Sequence, residues 1–388
     1  MQSYVTVETS AEAVRHNLRL LRGCIQPGVK LCLPVKADCY GHGLELLMNI
    51  LCLKQDTSLP PVGTPLVDSL AVAAPEEAVR VRELGCELPL LSFFSAAAYL
   101  EGPVRDEALS EMIARDVIQT VVSVDEIEPI AQVALRLGRA AEVHIKIDSG
   151  MGRSGVLAKE AVELFGRIRR QDGLRLTGLC SHFATSDEAD TSFMHRQLDS
   201  FKQVLAACGD TEGMTIHMAN SAATIDLPEA HFNMVRPGLA AYGYQPSQYL
   251  RNRQPLRPAL RATTRLMPIK EVPAGTSCGY GLTYTFDKPG RISRVAMGYG
   301  DGYLRCLSNK STVRVHGVDV PVRGRVSMDQ LIIDLTDVPQ ARMGDEVELI
   351  SPDPTAPHSV ENLALLAGTI PHEIVCLLAG RITRILVD

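Results

Sequence analysis

Lys36 closes an apolar run, Leu31-Cys32-Leu33-Pro34-Val35, and an unpaired ammonium is costly to bury against such a run. Taken alone it reads as a salt-bridged or snorkelling lysine. Other segments bring polar groups in behind apolar runs in the same way: Lys146-Ile147-Asp148-Ser149-Gly150-Met151-Gly152-Arg153, Ser181-His182-Phe183, His217-Met218-Ala219-Asn220-Ser221 and Arg236-Pro237-Gly238-Leu239. The types suggest a division of labour. A lysine amine can condense with an aldehyde, an arginine fork can hold a carboxylate, and a serine hydroxyl beside glycine-flanked backbone N–H groups can hold a phosphate.

Whether these groups meet depends on the elements that carry them. Across the first ~245 residues, apolar β-prone segments recur at 31–35, 69–73, 88–93, 118–124, 143–147, 176–181, 215–218 and 234–240. Amphipathic helical patterns lie between them, as at 11–21, 75–84, 125–137, 159–170 and 191–207. Eight strand–helix units predict an α/β fold, an N-terminal (β/α)8 TIM-type barrel over residues 1–247. Beyond Pro246 the alternation stops. Short strands predicted at 262–269, 294–297, 312–316, 318–322, 331–335 and 346–350, a helix at 360–366 and a last strand at 381–387 make a mainly β domain over 248–388.

Barrel chemistry sits at the C-terminal ends of the strands, and the loops after strands seven and eight commonly bind phosphate. Lys36, Arg153, His182 and Ser221 follow strand ends and the eighth strand carries Arg236, Gly238 and Leu239, so all would face one mouth. A phosphate cradle with a lysine elsewhere on the rim suits pyridoxal phosphate held on Lys36 as a Schiff base. The segment Gly150-Met151-Gly152-Arg153-Ser154-Gly155 also fits a dinucleotide fingerprint. That reading needs an acidic residue at a strand end about 20 positions on; Asp172 lies near that distance but after a helical stretch. The glycines are better read as a tight turn that delivers Arg153.

The chain has 388 residues, 46% apolar and 22% charged, with a net charge of −6. No basic block marks a nucleic-acid or anionic-membrane surface, and no apolar run reaches the length of a membrane span. The start lacks a basic and apolar leader, which points to a cytoplasmic protein. Ten scattered cysteines, with no C-x-x-C pair, read as reduced thiols, and no metal site is expected.

The segment Val35-Lys36-Ala37-Asp38-Cys39-Tyr40-Gly41-His42-Gly43 resembles the pyridoxal-lysine signature of the bacterial alanine racemases. The four other segments above resemble family motifs too. So do Gly279-Tyr280-Gly281-Leu282-Thr283-Tyr284, Gly298-Tyr299-Gly300-Asp301-Gly302 and Ser327-Met328-Asp329-Gln330, all in family order. The resemblance implies a homodimer in which the β domain of one subunit completes the active site of the other. It implies Lys36 and Tyr280 as two bases on opposite faces of the substrate, Arg236 facing the pyridine nitrogen, and His182 holding Arg236. Tyr40, Ser221, Gly238 and Leu239 match the phosphate-binding set. Arg153 matches the residue that grips the substrate carboxylate, oriented by a carbamylated Lys146. Met328 matches a backbone donor near that carboxylate, and Tyr299 a residue that narrows the entrance.

Two departures bear on substrate. His372 stands where the family usually has a tyrosine touching both phosphate and substrate mouth, and Asp38-Cys39 replaces a common Asn-Ala. Histidine can still donate to phosphate but leaves more room. Alanine is the expected substrate, with serine or a broader set of small amino acids as the alternative, since a small pocket rejects one added hydroxyl only weakly. More distant readings are a pyridoxal-phosphate decarboxylase, against which Gly279-Tyr280-Gly281 speaks, and a non-enzymatic cofactor carrier, against which the β domain speaks.

Overall fold

The eight apolar segments form parallel strands that close on themselves. In the computed structural model, which describes residues 4–52, 65–378 and 381–388, the barrel strands are Lys30–Pro34, Ser69–Val72, Leu90–Ser92, Val117–Val121, Ala141–Asp148, Leu174–Cys180, Thr215–His217 and Met234–Val235. Each pairs in parallel with the next. Met234 then pairs with Lys30, which closes the ring. Strands buried on both faces read as continuous apolar runs, which is why eight short segments were visible in the sequence. The eighth is shorter than its 234–240 pattern. Pro237 has no N–H to continue a ladder, and the chain turns into a 3-10 turn, Leu239–Tyr242.

Inside the barrel, Cys32, Ala71, Leu91 and Met234 form a small apolar cluster with Phe93 and Ile118. Helices cover the outside. Ala11–Gly23 is capped by Ser10, whose hydroxyl accepts from Ala13 N at 3.0 Å. Pro75–Glu83 begins with proline at its first turn.

The second domain is built on a nine-stranded sheet in the order Lys270–Val272, Gly290–Ala296, Gln330–Asp334, Val318–Arg323, Thr312–Val315, Glu346–Ile350, Leu260–Arg265, Thr6–Ser10 and Thr383–Val387. The N-terminal segment therefore contributes to this sheet, antiparallel to Leu260–Arg265 and parallel to the C-terminal strand. A hairpin, Ser277–Cys278 with Tyr284–Thr285, stands apart from the sheet. Among the described residues no helix is long and apolar enough to cross a membrane, and no group of three His, Cys, Asp or Glu side chains could hold a metal ion.

Candidate active site

Lys36 leaves the first barrel strand into a backbone that glycine would normally occupy. Ala37, Asp38, Cys39 and Tyr40 have φ of 51°, 52°, 56° and 54°, a left-handed turn that costs roughly 1–2 kcal/mol per residue for L-amino acids. Contacts from near and distant parts of the chain hold it. Ala37 N donates to Glu77 Oε1 at 2.7 Å, and Leu44 N to Asp38 Oδ1 at 2.7 Å. Arg384, on the last strand, donates to Gly41 O at 3.0 Å and pairs with Asp38 at 3.3 Å. Beneath the turn, Nδ1 of the fully buried His42 donates to the carbonyls of Cys39 and Tyr40, each at 2.9 Å.

Four cations share the mouth. Burial lowers the pKa of the Lys36 amine, and the Arg153 guanidinium and then Arg236 push it further in the same direction. Lys146 is lowered by burial first, with Arg153, Arg236 and Lys36 adding to it. None of the four has a carboxylate within ion-pair distance among the described residues, whereas Arg384, behind the Lys36 turn, pairs with Asp38. Such a field recruits anions.

Arg236, 5% exposed, is the most constrained of the four. Its Nη1 donates to His217 Nδ1 at 2.5 Å. Its Nη2 donates to Ser181 O at 2.9 Å, to Met218 O at 3.3 Å and to His182 Nδ1 at 3.3 Å. Burial and then the Arg236 charge hold His182 well below the usual imidazole range, so it is neutral and can accept. Lys36 Nζ and the Arg236 guanidinium carbon lie 5.7 and 5.9 Å from the ring centre of Phe93. Arg153 is delivered by a loop curled around Asp148, whose carboxylate accepts from Gly150 N and Gly152 N. A β-carbon on Gly155 in that loop would lie 2.6 Å from Asp148 N.

The far rim is a cradle. A β-carbon on Gly238 would lie 2.5 Å from Tyr40 Oη, so only glycine lets that hydroxyl approach the backbone before Leu239. Ser221 Oγ accepts from Ala240 N at 3.2 Å. His372, on the helix Pro371–Cys376, packs its ring 5.8 Å from that of Tyr40. Lysine amine, donor-only arginine, hydroxyls and close-approach glycine fit pyridoxal phosphate.

Tyr280, Tyr299 and Met328 form a second group on the β domain. They are 71%, 45% and 55% exposed. Gly300 N donates to Met328 O at 2.9 Å and Tyr299 N to Ser327 O at 3.0 Å, which ties the last two together. No hydrogen bond, ion pair or ring contact joins any of the three to the barrel mouth of the same chain among the described residues.

With this geometry in place, comparison with known proteins decides the family. Models of the alanine racemase N-terminal domain and the alanine racemase C-terminal domain match residues 9–246 and 259–386. The chain belongs to the alanine racemase family. An alanine racemase of Halothermothrix orenii is 37% identical over 99% of this chain and 98% of its own. One from Methanococcus maripaludis is 34% identical over 98% of each. The solved alanine racemase of Clostridium difficile 630 matches with a TM-score of 0.88 at 31% identity, over 100% of this chain and 96% of that one. That of a D-cycloserine-producing Streptomyces lavendulae matches with 0.88 at 32%, over 100% and 98%.

Against the family motifs, the sequence reading assigned no role to His144, His217 as an arginine partner, Phe93 or Glu77. A signal existed for His144: it lies two residues before Lys146 on one strand, so both side chains point to the same face. Glu77 and Phe93 lie in segments that carried no motif.

Proposed function

We propose that this chain interconverts L- and D-alanine with pyridoxal phosphate bound at the barrel mouth. The observation that carries the reading is the Lys36 amine, its pKa held below the usual lysine range, gathered at one mouth with Lys146, Arg153 and Arg236, none of the four with a carboxylate partner among the described residues. When bound, the cofactor supplies an electron sink that acidifies the substrate Cα–H. The chain's own residues do the rest. Tyr40, Ser221, His372 and the backbone at Gly238 and Leu239 hold the phosphate. Arg236 would face the ring nitrogen with an N–H that it does not surrender, which would leave that nitrogen without a proton from the protein and discourage side reactions. His182 holds Arg236. Arg153 clamps the substrate carboxylate, and the partner copy's Met328 backbone adds a donor. Lys36 moves the proton on one face of Cα and the partner copy's Tyr280 on the other, with Tyr299 narrowing the entrance. The exposure of Tyr280, Tyr299 and Met328 in the single chain supports a homodimer in which each site draws on both copies. Racemisation of L-alanine by the cofactor-loaded protein tests the reading.

Two outcomes bear on the cofactor. Capture needs the neutral amine, and the folded pKa of Lys36 is lowered. The rate of capture, followed by visible absorbance, is therefore expected to rise with pH and level off below the ordinary lysine value. Replacing Arg153 by Gln removes a cation that lowers that pKa, so the midpoint should move up. Gly238→Ala places a methyl against Tyr40 Oη. Overpacking of about 1–3 kcal/mol should weaken cofactor binding roughly 5- to 150-fold, read as a Kd by absorbance titration.

Lys146 is a candidate for carbamylation: its neutral amine adds carbon dioxide and releases a proton, leaving an anion that pairs with Arg153. Burial, which holds the amine below its usual pKa, supports this. Protein equilibrated with 13C-bicarbonate is expected to show a carbamate resonance that Lys146→Ala removes. A density map with a bare amine at Lys146 would overturn it.

A further inference from the structure

Two histidines lie in the barrel interior below Arg236. His144 is 2% exposed and His217 fully buried. His144 Nδ1 is 2.9 Å from His217 Nε2, with ring centres 5.0 Å apart. His217 pairs across the strands with Met234 of the apolar cluster, in an interior where an aliphatic pair would pack at lower desolvation cost.

The direction of every hydrogen bond in this row is fixed from one end. A guanidinium carries no acceptor, so the 2.5 Å contact from Arg236 Nη1 requires a lone pair on His217 Nδ1. The proton of neutral His217 is then on Nε2, and it donates to His144 Nδ1. His144 in turn carries its own proton on Nε2. Reversing either ring would set two N–H groups, or two lone pairs, against each other. Burial keeps both rings uncharged, His144 pushed down to about 3 and His217 well below its usual range, with Arg236 adding to the effect.

The sixth strand makes room for this row. A β-carbon on Gly178 would fall 2.6 Å from His144 Nε2 and 2.5 Å from Thr215 O. Any larger residue there would displace the His144 ring.

We infer that His144 is a positioning residue: by accepting from His217 Nε2 it locks His217 in the tautomer that offers a lone pair to Arg236, and so fixes the aim of the guanidinium at the mouth. Its effect on turnover rests on the proposed placement of Arg236 against the cofactor ring. Without that acceptor the Nε2 proton of His217 is buried and unpaired, so the tautomer that serves Arg236 loses its advantage over the other, and the shortest anchor of Arg236 weakens while its other amine keeps the carbonyls of Ser181 and Met218.

The test compares His144→Asn, whose Oδ1 takes the place of the Nδ1 acceptor, with His144→Leu, which has none and suits the apolar surroundings. In the cofactor-loaded enzyme labelled with 15N-histidine, the His217 signals, assigned by their loss in His217→Asn, are expected to show protonation at Nε2 in the wild type and His144→Asn and a mixture in His144→Leu. For His144→Leu, kcat is expected to fall about tenfold, as for other groups that orient a functional side chain, with KM for alanine within about twofold. His144→Asn should recover most of the loss, and Gly178→Ala should reproduce it. The inference fails if the wild type racemises while the Leu and Asn variants share one His217 tautomer and one kcat. A wild-type enzyme that binds cofactor but does not racemise would instead overturn the function proposed above, and the tautomer measurement would still read the row of hydrogen bonds.

Discussion

Lys36→Ala is expected to lower kcat for alanine racemisation at least ~10^4-fold, the upper range for removing a group that both binds covalently and moves the proton. The visible absorption of the loaded protein should change with it, because the protein-linked form of the cofactor cannot form. Lys36→Arg separates charge from chemistry. It keeps a cation beside Phe93 and Glu77, but a guanidinium does not deprotonate and does not condense with an aldehyde, so it should be as inactive as alanine. Small primary amines added to Lys36→Ala should restore a fraction of turnover by replacing the missing base. A Lys36→Ala enzyme within tenfold of wild type would remove Lys36 from the mechanism. Lys146, the other buried amine at the mouth, would then be the group to examine.

Tyr280→Phe should cost roughly 10^2- to 10^4-fold in kcat in both directions, and in a way that Lys36 variants do not. With one base left, the Cα proton of one alanine enantiomer should still exchange with deuterated solvent, without inversion, while the other enantiomer is inert. The same residue tests the assembly. If Tyr280 serves the partner's barrel, mixing Lys36→Ala and Tyr280→Phe subunits yields hybrid dimers with one intact and one doubly damaged site. Random reassortment in a two-fold dimer would then restore roughly a quarter of wild-type activity. If both residues act within one chain, the mixture stays as inactive as its components. The 71% exposure of Tyr280 in the single chain favours the first outcome.

The barrel was legible because its information is local. Leu31 to Pro34 and Leu70 to Val72 are apolar runs, Val143 to Ile147 alternates β-branched with polar residues, and eight such β-prone segments with helical patterns between admit few arrangements. What escaped the sequence is held by long-range contacts. Thr6–Ser10 joins the second sheet because Thr6 pairs with Thr263 on one side and Thr383 on the other, partners more than 250 positions away. The left-handed turn after Lys36 has no glycine until Gly41, so nothing local announces it. Glu77 and Arg384 impose it from two other elements, and the buried His42 ring supports it from below. Within the site, Lys36, Arg153 and Arg236 stood out as charges at the ends of apolar runs. Tyr280, Tyr299 and Met328 were visible only through motif resemblance, since an exposed tyrosine between glycines carries no periodic signal. Of the partners of Arg236, His182 was visible through the resemblance, whereas His217 was not, because which further histidine faces the guanidinium depends on barrel closure and on the space left by Gly178.

The substrate turns on the rim. His372 packs its ring against that of Tyr40 at the cradle and is smaller than a tyrosine, which leaves more room there for a side chain longer than methyl. The clearest test is to incubate the cofactor-loaded protein with L-alanine and, separately, with L-serine, and to resolve both enantiomers of each by chiral chromatography over time. D-alanine forming much faster than D-serine, and approaching equal amounts of the two enantiomers, is the expected result. D-serine forming as fast or faster would contradict alanine as the preferred substrate, and no exchange of either enantiomer by protein that has bound its cofactor would contradict racemisation itself.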